Sequence, residues 1–147
     1  MTTFNKTEKQ TIGQKGEDLA CAYLKENSYK ILFRNYRRPW GEIDIVAKDK
    51  DGDIVIVEVK TISKIRSIRQ LDSAISGNCR KYEEDYSLDP EDNMSQSKIN
   101  KTRKIALSFA NENEELINEK IGWRIDLITI SLNESDKDPE IRHYKNV

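Results

Sequence analysis

Trp40-Gly41-Glu42-Ile43-Asp44-Ile45-Val46-Ala47, then Lys48-Asp49-Lys50-Asp51-Gly52-Asp53, then Ile54-Val55-Ile56-Val57-Glu58-Val59-Lys60 is the stretch that decides the fold. Two β-rich apolar runs flank a polar tip that contains Asp51-Gly52, a strong hairpin signal. The pattern predicts strands over roughly Glu42–Ala47 and Ile54–Lys60. Asp44, Glu58 and Lys60 interrupt these apolar runs. Strands so rich in Val and Ile usually lie inside a sheet, where an unpaired charge is costly. Charges placed there need a partner, a metal or a task.

Before the hairpin, Ile12 to Asn27 reads as an amphipathic helix, with Ile12, Gly16, Leu19, Ala20, Tyr23 and Leu24 on one face. Residues 1–11 read as a mobile tail. Glu17 sits on the border of the apolar face. It either reaches the edge of a core pocket or is an exposed first-turn carboxylate favoured by the helix dipole. Tyr29 to Arg37 predicts a strand with a basic end, Arg34, Arg37 and Arg38, before a Pro39-Trp40-Gly41 turn. After the hairpin, Thr61 to Ile75 is basic and weakly helical, and about 76–97 is a variable insertion that includes the acidic stretch Glu83–Asp92. Ser97 to Asn118 predicts a second helix buried through Ile99, Ile105, Phe109, Leu116 and Ile117. Arg124–Leu132 and Glu140–Tyr144 predict two last strands. The order α-β-β-β-α-β-β gives an α/β fold, a mixed central sheet flanked by helices.

The chain has 147 residues, enough for one domain with a real core. No apolar run is long enough to span a bilayer, and residues 1–10 lack the apolar centre of a signal peptide. A cytoplasmic location and no membrane partner are therefore expected, with Cys21 and Cys79 as reduced thiols. The net charge of -1 excludes no partner. Its distribution says more: residues 93–104 carry four Lys/Arg and no Asp/Glu. Basic segments around an acidic hairpin suit a polyanion approaching a carboxylate cluster, although mixed charge is also the ordinary make-up of a solvated surface.

Glu58 and Lys60 are two apart on a strand and project to one side. Asp44 joins them if the hairpin register allows. Two carboxylates suit a hard divalent cation such as Mg²⁺ or Mn²⁺. A neighbouring lysine can orient a water or stabilise charge building on phosphate oxygens. This set suits phosphodiester hydrolysis. A plain salt bridge of Lys60 with Glu58 or Asp44 at a sheet end is the structural alternative.

Gly13-x-x-Gly16-Glu17-x-x-Ala20, Arg34-Asn35-Tyr36-Arg37, Gly41-Glu42-Ile43-Asp44-Ile45-Val46-Ala47 and Val57-Glu58-Val59-Lys60 resemble the YraN-like family of small uncharacterised bacterial proteins. So do Lys101-x-x-Lys104-Ile105, Arg124–Ile128 and the ending Ile141-Arg142-His143-Tyr144-x-Asn146-Val147. The resemblance places the chain in the PD-(D/E)xK nuclease superfamily, similar to archaeal Holliday-junction resolvases. It implies a restriction-endonuclease-like core. It also implies Asp44 and Glu58 as metal ligands joined by the Val59 backbone carbonyl, Lys60 as the catalytic lysine and Glu17 as an additional carboxylate. DNA ahead of RNA, and a homodimer as in related resolvases, follow from the same resemblance. The chain departs from the family pattern at Ile62, where a basic residue is usual, and in its longer segment from Thr61 to Lys101.

Arg37, Arg38, Lys98, Lys101 and Lys104 are candidate nucleic-acid contacts, and Trp40 beside the arginines is either a nucleic-acid contact or a cover for the core edge. His143 and Asp126 read as structural hydrogen-bonding residues. The chain as a whole reads as an endonuclease-like protein acting on DNA, branched or single-stranded. A nuclease fold that binds nucleic acid without turnover, or a protein-interaction module using the acidic insertion, are the alternatives.

Overall fold

The structure, a computed structural model, describes residues 8–63, 95–117, 122–133 and 137–147. Helix α1, Glu8–Glu26, is followed by strands β1, Lys30–Arg38, β2, Gly41–Lys48, and β3, Ile54–Ser63. Helix α2, Gln96–Glu112, and a short 3-10 turn, Glu114–Leu116, lead to β4, Trp123–Leu132, and β5, Glu140–Tyr144. This is the expected element order. Most of the basic stretch after Thr61, the acidic insertion and Cys79 lie outside the described residues.

The boundaries differ from the sequence pattern by more than one residue at three places. Helix α1 starts at Glu8, so residues 8–11, expected in a tail, form its first turn. Strand β3 does not stop at Lys60; it pairs with β4 from Ile54↔Trp123 to Ser63↔Leu132, and this continuous ladder overrides the weak helical pattern after Thr61. Helix α2 stops at Glu112 rather than at Asn118, because the Asn113 amide donates to the Phe109 carbonyl at 2.9 Å and competes with the helical ladder.

Helix α1 is tied to β1 by a tight C-terminal turn. The Tyr29 N–H donates to the Leu24 carbonyl at 2.9 Å and the Ser28 N–H to the Lys25 carbonyl at 3.1 Å. Ser28 takes the left-handed conformation, φ 66, that glycine usually supplies. Leu24 and Tyr29 are then buried in the same apolar cluster. In the β2–β3 turn, Asp49 Oδ1 accepts the N–H groups of Asp51 at 3.0 Å and Asp53 at 2.9 Å, and Gly52 sits at φ 95. The turn is thus organised around Asp49, with Asp51-Gly52 at its tip.

The five strands lie in sequence order, β1-β2-β3-β4-β5. All neighbours are antiparallel except β3 and β4, which are parallel. Helix α1 covers one face with Ala20, Cys21 and Leu24 against Ile45, Ala47, Val55, Val57, Ile128 and Ile130. Helix α2 covers the other with Ile105, Ala106 and Phe109 against Ile43, Val46, Ile54, Ile56, Ile125 and Leu127. Cys21 carries a free thiol, pushed up by burial. No helix among the described residues is long and apolar enough to cross a membrane.

One irregularity positions the site. Ile43 packs under α2 while Ile45 packs under α1, although residues two apart on a strand should share a face. The partner strand does the same: Arg34 bonds to Asp18 of α1, whereas Tyr36 packs under α2 against Phe109. The pairs Arg34↔Ile45 and Tyr36↔Ile43 leave Asn35 opposite Asp44 at the point where both strands change face. Asn35 has φ 50 there.

Candidate metal and phosphate site at the end of β2 and β3

Pairing of β2 with β3 ends at Ile45↔Val57. Beyond it the strands part, and Asp44 takes over the lost ladder contact. Its Oδ2 accepts the Val59 N–H at 2.8 Å. Glu58 and Lys60 follow Ile54 and Ile56 in strand alternation and so project to the α2 side. The hairpin register does bring Asp44 to the same end of the sheet.

Helix α1 reaches this end because Gly16 lets it press on β3. A Cβ at Gly16 would lie 1.7 Å from Thr61 Oγ1. The next residue, Glu17, is brought in with its side chain 18% exposed. Glu17 lies mid-helix, too far from the N-terminus for the dipole to matter, which removes the first-turn reading. Its Oε2 accepts the Asn35 Nδ2–H at 3.1 Å and lies 3.9 Å from Arg34 Nη2. Arg34 has the closer partner in Asp18, at 2.6 Å.

The electrostatics of Asp44 report the whole cluster. Burial, then the Glu58 charge and the Glu17 charge push its carboxyl up to about 7, against the Val59 N–H and the Lys98 ammonium. Glu58 is paired with Lys98, whose ammonium rests on Glu58 Oε1. Lys98 stands in the first turn of α2, which Ser95 caps through a 3.3 Å contact to the Lys98 N–H. No acidic residue occupies that turn. Cations at a helix N-terminus are ordinarily unfavourable, by roughly 0.3–1 kcal/mol each, and Glu58 offsets this for Lys98.

The donor set fits a hard divalent cation of the Mg²⁺ kind, which takes oxygen ligands, accepts as few as one or two carboxylates and keeps its waters. Lys98 shows that a positive charge already belongs among these carboxylates. The expected trio is not gathered as a chelate: among the described residues no group of three or more His, Cys, Asp or Glu can hold a metal ion. Asp44 and Glu58 are the two carboxylates most strongly coupled in charge at this end of the sheet. Glu17 acts on Asp44 through its charge from the α1 side, where Asn35 binds it.

The remaining candidates are distributed over the neighbouring surface. Arg37 is 3.0 Å from Glu42, and Arg38 is clamped to Glu112. Tyr36 and Ser108 also bond that carboxylate, and the combined donors hold Glu112 down to about 2. Lys101 and Lys104 are exposed on α2, and Trp40 is 58% exposed at the β1–β2 turn. Sequence reasoning gave Asn35 no role of its own, although it stands in the Arg34-Asn35-Tyr36-Arg37 stretch; its place opposite Asp44 supplies one. Sequence reasoning also missed how far the Asp126 network extends. Asp126, 0% exposed, lies 3.0 Å from Arg124 Nε, 2.8 Å from His143 Nε2 and 3.0 Å from the Asn146 N–H. Arg124 continues to Asp49 at 2.7 Å. Both Asp126 and His143 have the hydrogen-bonding roles expected of them.

The family model described as uncharacterised protein family UPF0102 matches residues 16–130, the span from the middle of α1 through the hairpin and α2 to most of β4. The chain belongs to the UPF0102 family. A UPF0102 protein of Desulforamulus reducens is 33% identical over 139 residues, 95% of this chain and 96% of the relative. One of Trichlorobacter lovleyi is 34% identical over 137 residues, 93% and 89% of the two chains. Two solved structures show weaker similarity: the EndoMS-dsDNA2 complex, with TM-score 0.26 and 23% identity, and a repair endonuclease from Pyrococcus abyssi, with TM-score 0.24 and 20% identity. They match 52% and 53% of this chain and only 33% and 35% of their own. Likeness this slight carries no argument about the site; the site rests on the geometry above.

Proposed function

We propose that this family member is a metal-dependent, endonuclease-like protein of the cytoplasm that hydrolyses DNA phosphodiesters, in branched or single-stranded DNA. The observation that carries the reading is that Asp44, bonded to the Val59 N–H where β2 leaves β3, feels the charge of the neighbouring Glu58, with Lys60 two residues along the same strand. Asp44, Glu58 and the Val59 carbonyl would hold Mg²⁺ or Mn²⁺. When bound, such an ion polarises a phosphoryl oxygen and acidifies a water. Lys60 orients the attacking water and stabilises the charge that builds on the phosphate. Glu17 supplies the third carboxylate from the α1 side. Arg37, Arg38, Lys98, Lys101 and Lys104 offer cations for phosphates, which position a strand without reading its sequence.

The test is cleavage of duplex, junction and single-stranded DNA in Mg²⁺ and Mn²⁺ by wild type, Asp44→Ala, Glu58→Ala and Lys60→Ala. Wild type should cleave at least one substrate. The carboxylate variants should lose cleavage, and Lys60→Ala should lose about 10²–10³ in rate. Cleavage unchanged in both carboxylate variants would sink the mechanism.

One contact favours a second reading. With the Lys98 ammonium on Glu58, the carboxylate pair is already compensated without an ion, which suits a module that binds nucleic acid without turnover. Salt-sensitive DNA binding with no cleavage in any divalent metal would select it.

A further inference from the structure

Three features of the β1–β2 pair converge on one residue that the catalytic reading leaves without a role. Asn35 stands opposite Asp44, between the pairs Arg34↔Ile45 and Tyr36↔Ile43. It takes φ 50 inside a strand, a conformation that side-chain-bearing residues adopt rarely and Asn more readily than most. Its amide nitrogen donates to Glu17 Oε2 at 3.1 Å, bridging β1 to α1.

An extended backbone at this position would continue the alternation of β1. The side chain would then lie on the face of Phe33, which packs on Phe109 of α2. The left-handed turn at Asn35 instead sends the amide to the α1 side, where Glu17 is. It also lets Tyr36 return to the α2 side while β2 changes face at Asp44. Asn fits both demands: it tolerates φ > 0 and it brings a donor. Glycine meets only the first, alanine neither, and aspartate meets the first while setting a carboxylate against Glu17.

We infer that Asn35 is a positioning residue that holds Glu17 beside Asp44, coupling the strand distortion at the site to the orientation of its third carboxylate. The inference rests on the catalytic reading for its consequence, but not for the contact itself. Partners that orient the groups of a metal site typically cost 10–100-fold in affinity or activity when removed.

The experiment uses full-length protein and three readouts: thermal melting, Mn²⁺ binding by calorimetry and DNA cleavage. Asn35→Gly keeps the backbone conformation and drops the donor. It should melt within a few degrees of wild type while binding Mn²⁺ roughly tenfold more weakly and cleaving about 10–100-fold more slowly. In a double-mutant cycle with Glu17→Gln, the second substitution should add little to the first. Wild-type Mn²⁺ affinity and cleavage in Asn35→Gly, or fully additive effects in the cycle, overturn the inference. If wild type neither binds Mn²⁺ nor cleaves, the catalytic reading fails, and NMR of the metal-free protein decides the contact alone. A shifted, slowly exchanging Asn35 side-chain amide that returns to the free-amide position in Glu17→Ala supports the hold on Glu17. An amide signal unmoved by that substitution overturns it.

Discussion

Asp44 carries two conflicting demands. It replaces a backbone partner for the Val59 N–H, and it does so half-buried within the fields of Glu58 and Glu17. A carboxyl held above its ordinary value is favoured in its protonated form in the folded state. Its stabilising contribution is therefore full below about 4, near the unfolded value, and fades as pH rises to about 7. Asp44→Asn should thus melt like wild type near pH 4 and above it at pH 8 in chelator, by at most about 4 kcal/mol. Melting curves of the two proteins across that range check this, and a constant difference at every pH contradicts it. On the proposed metal-binding role of Asp44, which requires the ionised carboxylate, wild-type Mn²⁺ affinity should also climb as pH passes about 7, and Asp44→Asn should lose that climb.

At the scale of elements, close approach of helix to sheet decides whether the site assembles. Gly16 of α1 leaves no room for a Cβ against Thr61 of β3. Gly16→Ala should lift the helix and destabilise the fold by about 1–3 kcal/mol, as overpacking does. Thr61→Ala in the same chain should restore part of the loss, since the hydroxyl is the nearest clash. Denaturant melts of the single and double variants measure both effects; no loss in Gly16→Ala would show that α1 does not seat as described. Gly41 faces α2 more loosely: a Cβ there would lie 2.4 Å from Ile105 Cδ1, the movable end of that side chain. Helix α2 in turn sets Lys98 on Glu58. These elements were largely legible from apolar periodicity and from the hairpin composition. The continuation of β3 to Ser63 was not, because pairing with β4 is a tertiary contact that residues 61–63 do not announce. Nor was the early end of α2, where one amide side chain stops a helical pattern that continues beyond it.

For the whole molecule, the Asp126 network ties the middle of the sheet, one register row from Glu58, to the end at the β2–β3 turn. It joins β4 to β5, to the last residues and to the β2–β3 turn through Arg124 and Asp49. Burial alone would raise the Asp126 carboxyl, but bonds from His143, the Asn146 N–H and Arg124 outweigh it and hold it below the ordinary range. A depressed carboxyl stabilises above its unfolded value and loses that contribution as pH falls through the folded one. The acid limb of unfolding, below about pH 4, should therefore flatten in Asp126→Asn. That variant should also be about 3 kcal/mol less stable at pH 7, since it strips a buried ion pair of one partner. Denaturant titrations at pH 3 and pH 7 test both parts; an unchanged pH dependence would show that Asp126 does not lock this end. Among the described residues every buried side-chain N and O has a hydrogen-bond partner, as a closed structural network requires.

By itself the sequence determined the element order, the hairpin, the helix faces and the residue types at the site. These follow from local pattern: apolar spacing sets which face is buried, and charges inside Val/Ile strands mark where burial is not the only demand. The tertiary structure decided the rest. Whether Asp44 comes under the charge of Glu58 depends on where β2 leaves β3, whether Glu17 approaches Asp44 depends on a glycine contact between α1 and β3, and Asn35 acquires a role only by standing opposite Asp44. Such facts depend on register and on packing between distant segments, and no spacing within a single segment encodes them.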